Sequence, residues 1–300
     1  MRQIKIFLLI LLIFQVILLA KVEPINEKWL QIDKSNMINL IKVIKSQSSN
    51  VNFYKKNLKR FNIDSEKELG FGVQRIEACQ YGGYISNEVV IYTNNNKIFY
   101  FRMRFSGEDD LKIIEILKKR NSNIDKFISE KYQISLPSNQ MEIKRIKYEV
   151  LDEENYSIFK KNIADKLGNF LNIPIDASLK NEYKTLVSPF EDYRFGTRCG
   201  YAGTQPKGRK AIEVIKKKNP KLLKNIIRGY SVEGRIYGVE AMLELASKNI
   251  IKLTNDDIST IKKVLNLNIS INRCEGCIGF SIEAKKMFGY KKYNELLDIQ

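Results

Sequence analysis

Glu88-Val89-Val90-Ile91-Tyr92-Thr93-Asn94-Asn95-Asn96-Lys97-Ile98-Phe99-Tyr100-Phe101-Arg102-Met103-Arg104-Phe105 is the stretch on which the fold turns. Two runs of β-branched and aromatic residues flank three asparagines. Asn enters the left-handed turn conformation at low cost, so the segment predicts a β-hairpin. Its second arm begins as a continuous apolar run and ends in alternation, as does a strand buried on both faces for half its length. Outward from the hairpin, Val73–Ala78 reads as a neighbouring strand and Glu142–Val150 as a later one.

Helical spacing frames these strands. Trp29, Ile32, Met37, Leu40, Ile41 and Ile44 predict two short helices, or one broken near Asp33–Ser35. Ser106-Gly107-Glu108-Asp109 reads as an N-cap ahead of a helix using Leu111, Ile114, Ile116 and Leu117. Pro137-Ser138 reads as a break, and Leu151–Leu167 as a helix closed by Gly168. Beyond Pro174 strand signals thin. Asn219-Pro220 opens a helix with Pro at its first position, and Thr254-Asn255-Asp256-Asp257 opens another with a capping pattern. The expected fold class is α+β. Residues 21–170 hold a small antiparallel sheet with helices, residues 171–300 are mainly helical, and the boundary falls between 170 and 205.

Within the second half, Arg209–Lys218, Pro220–Gly229 and Val232–Ser247 read as short helices. Gly234-Arg235-Ile236-Tyr237-Gly238-Val239-Glu240-Ala241-Met242-Leu243 carries small and aliphatic residues in one of them. Residues 208–248 in this respect resemble a HEAT-type α-hairpin, and the resemblance implies a helical scaffold. Only one unit is visible, where stable solenoids need about three.

The chain opens with Met1-Arg2-Gln3-Ile4-Lys5 and then runs from Ile6 to Ala20 with Gln15 as its one polar interruption. Fifteen helical residues rise roughly 22 Å, short of the ~30 Å hydrocarbon core. A basic stub, a short apolar run and a small residue at Ala20 predict a secretory signal over residues 1–20, hence a periplasmic or secreted protein. Leu18 stands where a small residue is preferred, which keeps an uncleaved signal-anchor as the alternative.

Two facts of composition limit the function. The formal charge is +17. It favours anionic surfaces such as lipid headgroups or acidic glycans; a protein partner is the other expectation, while nucleic acid sits awkwardly with export. The chain contains no histidine. That removes Ser-His-Asp and Cys-His catalysis and His-ligated zinc, and leaves carboxylates, Lys, Tyr, Ser, Arg or Cys for any chemistry.

Four constellations remain. The cysteines are Cys79, Cys199, Cys274 and Cys277, and in an exported chain they read as two disulfides. Cys274-Glu275-Gly276-Cys277 is close enough to bridge within itself, leaving Cys79 for Cys199, and both of these stand in a Cys-x-Tyr-x-Gly turn. A redox role for the CxxC is the sharper reading, and a four-cysteine zinc site lacks a second CxxC. Next, Lys207, Arg209, Lys210, Lys216, Lys217, Lys218, Lys221, Lys224 and Arg228 face one acid, Glu213, making a basic run suited to an anionic partner. Lys210, Lys217, Lys221, Lys224 and Arg228 fall at spacings that place them on one helical face. Carboxylate pairs at Glu108-Asp109-Asp110, Asp152-Glu153-Glu154, Glu191-Asp192 and Asp256-Asp257 come third, three of them at helix starts. Last, Tyr81, Tyr84, Tyr193, Tyr201, Phe190 and Phe195 cluster near the glycine-rich cysteine turns, as a binding platform or a core wall. No cofactor is expected. The function expected is binding or structural, with an envelope-glycan hydrolase using carboxylates and a thiol–disulfide protein as alternatives.

Overall fold

The structure, a computed structural model, describes residues 25–45, 52, 56, 61–105, 108–131, 133–135, 145–191 and 193–287. The leader at 1–20, the Ser106-Gly107 cap and the Pro137-Ser138 break lie outside the described residues. The protein is an α+β fold. In chain order come α1 (Glu27–Lys45), β1 (Phe61–Gly70), β2 (Val73–Tyr81), β3 (Ser86–Asn94), β4 (Lys97–Phe105), α2 (Glu108–Arg120), α3 (Ser122–Lys131), β5 (Gln133–Ser135), β6 (Arg145–Leu151) and α4 (Glu153–Leu167). Then follow α5 (Lys180–Val187), α6 (Lys207–Lys218), α7 (Leu223–Ile226), α8 (Val232–Ser247), α9 (Asn255–Leu265), β7 (Ser270–Glu275) and β8 (Ile278–Glu283).

The first six strands form one antiparallel sheet in the order β1-β2-β3-β4-β6-β5. The β3–β4 hairpin is the predicted one, turning on Asn95 (φ 48°) and Asn96 (φ 65°). Its register slips between Tyr92 and Thr93, so Phe99 is the extra residue of a bulge and joins Tyr100 on one face. Each face of the sheet has its own core. Ile76, Ala78, Val89, Ile91, Phe101, Met103 and Phe105 pack under α1, α2 and α3. Leu69, Val73, Val90, Tyr92, Phe99 and Tyr100 pack under α4 and the helices of the second half. The later helices are therefore laid on the sheet of the first half, around α8, which is buried nearly all round.

Two sequence expectations change, and the structure adds elements that the sequence does not signal. Residues 27–45 form a single helix, because Asp33 does not interrupt α1. It is buried, and its carboxylate accepts the N–H groups of Gly83, Tyr84 and Ile85 at 2.7, 2.9 and 3.3 Å, tying α1 to the β2–β3 turn. Strand β1 went unread because its sequence, Phe61-Asn62-Ile63-Asp64-Ser65-Glu66-Lys67-Glu68-Leu69-Gly70, is that of a polar edge strand. Strand β8 ends at Glu283 and is followed by a single 3-10 turn at Ala284–Lys286. Finally, α6 stops at Lys218 and a 3-10 turn intervenes at Pro220–Leu222, so Lys210, Lys217, Lys221, Lys224 and Arg228 do not share one helical face. The caps are as read: Pro220 stands at a first helical position, Thr254 and Asp257 form a capping box, and Gly168 closes α4 at φ 90°.

Candidate functional site

The cysteine pairing is corrected first. The disulfide joins Cys199 to Cys274, while Cys79 and Cys277 are free thiols. Cys274 lies on β7 with its side chain inward, against the Phe195 carbonyl. Cys277 sits exposed in the two-residue turn of the β7–β8 hairpin, beyond the closing pair Glu275–Ile278. Cys199 is brought alongside by the Gly200 N–H, which donates to the Gly276 carbonyl at 2.7 Å. Gly196 makes room: a Cβ there would stand 2.9 Å from Cys274 Sγ and 2.5 Å from the Cys274 carbonyl oxygen. Cys79 lies on β2 between Asn62 and Glu88 and is not bonded to this cluster. Burial, with a hydrogen bond to Asp64, pushes its thiol up to about 11.

The basic run divides into two sets. Arg209, Lys216, Lys224 and Arg228 are turned to internal use. Arg209 reaches Glu240 at 2.6 Å and lies over the rings of Tyr237 and Phe195. Lys216 meets Glu244 at 2.5 Å, Lys224 meets Asp257 at 2.8 Å, and Arg228 meets Asp256 at 2.7 Å. Lys207 pairs with Glu191 at the surface. Lys210, Lys217, Lys218 and Lys221 are exposed.

The carboxylates have structural employment. Asp152 caps α4, Asp257 caps α9, Asp256 holds Arg228 and Glu191 holds Lys207. Asp110 is nearly buried; the side chains of Glu108 and Asp109, and Asp192, lie outside the described residues. The aromatics form no single platform. Tyr193 and Phe195 are buried against Tyr237, Tyr84 packs edge-on to Trp29, and Tyr81 and Tyr201 are exposed apart from them.

A cleft of about 730 Å³ opens where the sheet meets the later helices, lined by Phe71, Leu167, Ile258 and Leu267 with Lys166, Asn255, Ser259, Lys262, Lys263 and Asn266. Helix α9 is the reason. Asn255, Ile258, Ser259, Lys262, Lys263 and Asn266 recur at three- and four-residue spacing and form the stripe facing the cleft. Asp257, Ile261, Val264 and Leu265 form the stripe buried in the core. The C-terminal turn of α4 supplies Lys166 and Leu167. Lys166, Lys262 and Lys263 are exposed, and none of them pairs with a carboxylate among the described residues.

The remaining wall is the turn between β1 and β2. Gly70, Phe71 and Gly72 take φ values of 82°, 59° and 78°. Among the described residues, every other non-glycine with positive φ is an asparagine. The left-handed region costs Phe roughly 1–2 kcal/mol, so something must hold it there. Arg235 does. It is wholly buried, donates from Nη1 to the Gly229 carbonyl at 3.0 Å and from Nη2 to the Leu69 carbonyl at 3.2 Å, and lies 5.3 Å from the centre of the Phe71 ring. Burial pulls its guanidinium down to about 10.

None of the cleft residues reads from the sequence as part of a ligand site; Leu167 and Asn255 read only as helix ends. The signals were there, in an aromatic between two glycines and in a second periodic stripe on α9, but neither differs locally from an ordinary turn or a solvated helix face. No helix among the described residues is long and apolar enough to cross a membrane. No protein family, curated protein or solved structure matches the chain, so the cleft has to be understood from its own residues.

Proposed function

We propose that the protein is a non-catalytic binding protein whose cleft takes a single-chain anionic amphiphile, a fatty-acid-like molecule, outside the cytoplasm. The observation that carries this reading is the composition of the cleft: an apolar lining of Phe71, Leu167, Ile258 and Leu267, with three lysines at Lys166, Lys262 and Lys263 that no described carboxylate neutralises. An acyl chain gains by covering the apolar lining at about 0.8 kcal/mol per buried CH2, while a carboxylate gains from the lysines. The hydroxyl and amides of Ser259, Asn255 and Asn266 suit the zone between the two. The basic, short, apolar leader and the Cys199–Cys274 disulfide both accord with export to an oxidising compartment.

Fluorescence titration with a polyene fatty acid, competed by palmitate and by its alcohol, tests the proposal. Saturable binding is expected, with palmitate displacing the probe at lower concentration than the alcohol. Ile258→Asp should abolish binding, and Lys262→Glu/Lys263→Glu should weaken it about tenfold, since exposed charge pairs contribute about 0.2–1 kcal/mol each and reversal adds repulsion. Absence of saturable binding, or equal competition by acid and alcohol, overturns the reading.

A further inference from the structure

Four residues beyond Lys166 the chain does something that the cleft does not require. Phe170 and Leu171 are 39% and 40% exposed, yet the backbone that carries them is fixed from below. Asn225 is almost wholly buried, and its side-chain amide engages both backbone groups of Leu171. Oδ1 accepts the Leu171 N–H at 2.7 Å, and Nδ2 donates to the Leu171 carbonyl at 3.0 Å. This is the pairing that a neighbouring strand would supply. A buried amide thereby holds two large apolar side chains at the surface, where they contribute little to the core.

Their surroundings are cationic. The tip follows Lys166 directly across the Gly168 turn, and then runs beside the corner between α6 and α7, where Asn219 Nδ2 donates to the Pro174 carbonyl at 3.5 Å. Lys218 and Lys221 are exposed at that corner, with Asp176 within electrostatic reach of Lys218. Exposed apolar side chains with lysines on long stems on the neighbouring segments are the chemistry of an interfacial membrane contact: the apolar groups enter the headgroup–acyl boundary and the ammonium groups meet lipid phosphates.

We infer that the Phe170–Leu171 tip docks this protein on an anionic lipid bilayer surface, with Lys166, Lys218 and Lys221 meeting the headgroups. The inference goes beyond the cleft reading and stands whether or not the cleft takes an amphiphile.

Co-sedimentation of the full chain with phosphatidylglycerol–phosphatidylcholine vesicles, and with phosphatidylcholine alone, tests it. The wild type is expected on the anionic vesicles and not on the neutral ones. Phe170 touches the Tyr230 ring at 5.4 Å, so the tip is better probed at Leu171. Leu171→Ser should lower the partition coefficient about tenfold, and Lys218→Glu/Lys221→Glu at least tenfold, at roughly 1 kcal/mol per charge near the surface. Leu171→Trp, which keeps an apolar side chain, should retain binding and shift its emission to the blue on anionic vesicles. Equal partitioning onto neutral vesicles, wild-type partitioning by both weakened variants, or no partitioning of the wild type overturns the inference; the last result would mark the tip as a protein contact. Fatty-acid titration of Lys218→Glu/Lys221→Glu without vesicles should match the wild type, which separates a failure here from a failure of the cleft reading.

Discussion

The two faces of the sheet are built on different principles. The face under α1, α2 and α3 is mostly apolar, with Asp33, Gln80 and Asn87 buried near the β2–β3 turn. The face under the later helices buries charge. Lys67 of β1 meets Glu233 of α8 at 2.5 Å, Arg75 meets Glu77 at 2.7 Å, and Arg102 lies buried on the same face. Glu233 also accepts the Asn272 N–H of β7 at 3.2 Å. One acid therefore locks three elements together from residues 67, 233 and 272. Apolar contacts tolerate small shifts and repacking, whereas a buried ion pair needs both partners in place. The difference teaches how the chain can pack an apolar layer near the sheet in sequence by bulk, yet seat the distant second half by specific contacts.

The sharpest way to break this contrast is Glu233→Ala. It leaves Lys67 buried without its partner and should cost about 3–5 kcal/mol, read as a fall in the urea midpoint. Lys67→Met/Glu233→Leu, which turns the charged pair apolar, should recover most of that loss and leave a residual of roughly 1 kcal/mol for the Asn272 hydrogen bond. A cost below about 1 kcal/mol for the single change would mean that the charged face does not hold the second half. Next in size is Cys199→Ser/Cys274→Ser. It frees a loop of 75 residues and should destabilise by roughly 2–4 kcal/mol. Hydrogen exchange should then rise in β7, β8 and the 195–204 segment before it rises in α1, α2 or α3.

The smallest effect concerns pH, where the faces should respond with opposite sign. Burial would raise the Glu233 carboxyl, but the Lys67 ammonium overrides it and holds it below its ordinary 4.5. Its contribution is present above pH 4.5 and is lost as pH falls through the lowered value. Burial raises Asp33 above 3.8 despite its three backbone donors. Its contribution is present below pH 3.8 and declines as pH rises through the raised value. Lowering pH from 5 to 3 should therefore loosen β7 and the start of α8 while leaving the β2–β3 turn protected, as hydrogen exchange can measure. Equal loosening of both would remove the contrast.

What the sequence disclosed follows from the same physics. The β3–β4 hairpin, α4 with its glycine stop, the α9 capping box and α8 were legible, because each is written in neighbouring residues. Strand β1 was not, since an edge strand with one face against the later helices needs few apolar residues of its own. The Cys199–Cys274 pairing was not either: it depends on Gly196 and on a backbone bridge between Gly200 and Gly276, neither of which has a local signature. The basic run of 207–228 was visible as charge, but its division into buried ion-paired and exposed members is set mainly by Glu240, Glu244, Asp256 and Asp257, all further along the chain. The cleft was illegible for a like reason, being assembled from residues 71, 166–167 and 255–267 that meet only after folding.

The Gly70-Phe71-Gly72 turn has one more consequence. Because Arg235 lies over the ring from within, this wall of the cleft is set by the interior, and the amphiphile proposed above would meet a preformed surface. A substitution at Arg235 would remove the buried group that packs over the Phe71 ring and bonds the Leu69 carbonyl, so a residue of the interior shapes this part of the surface.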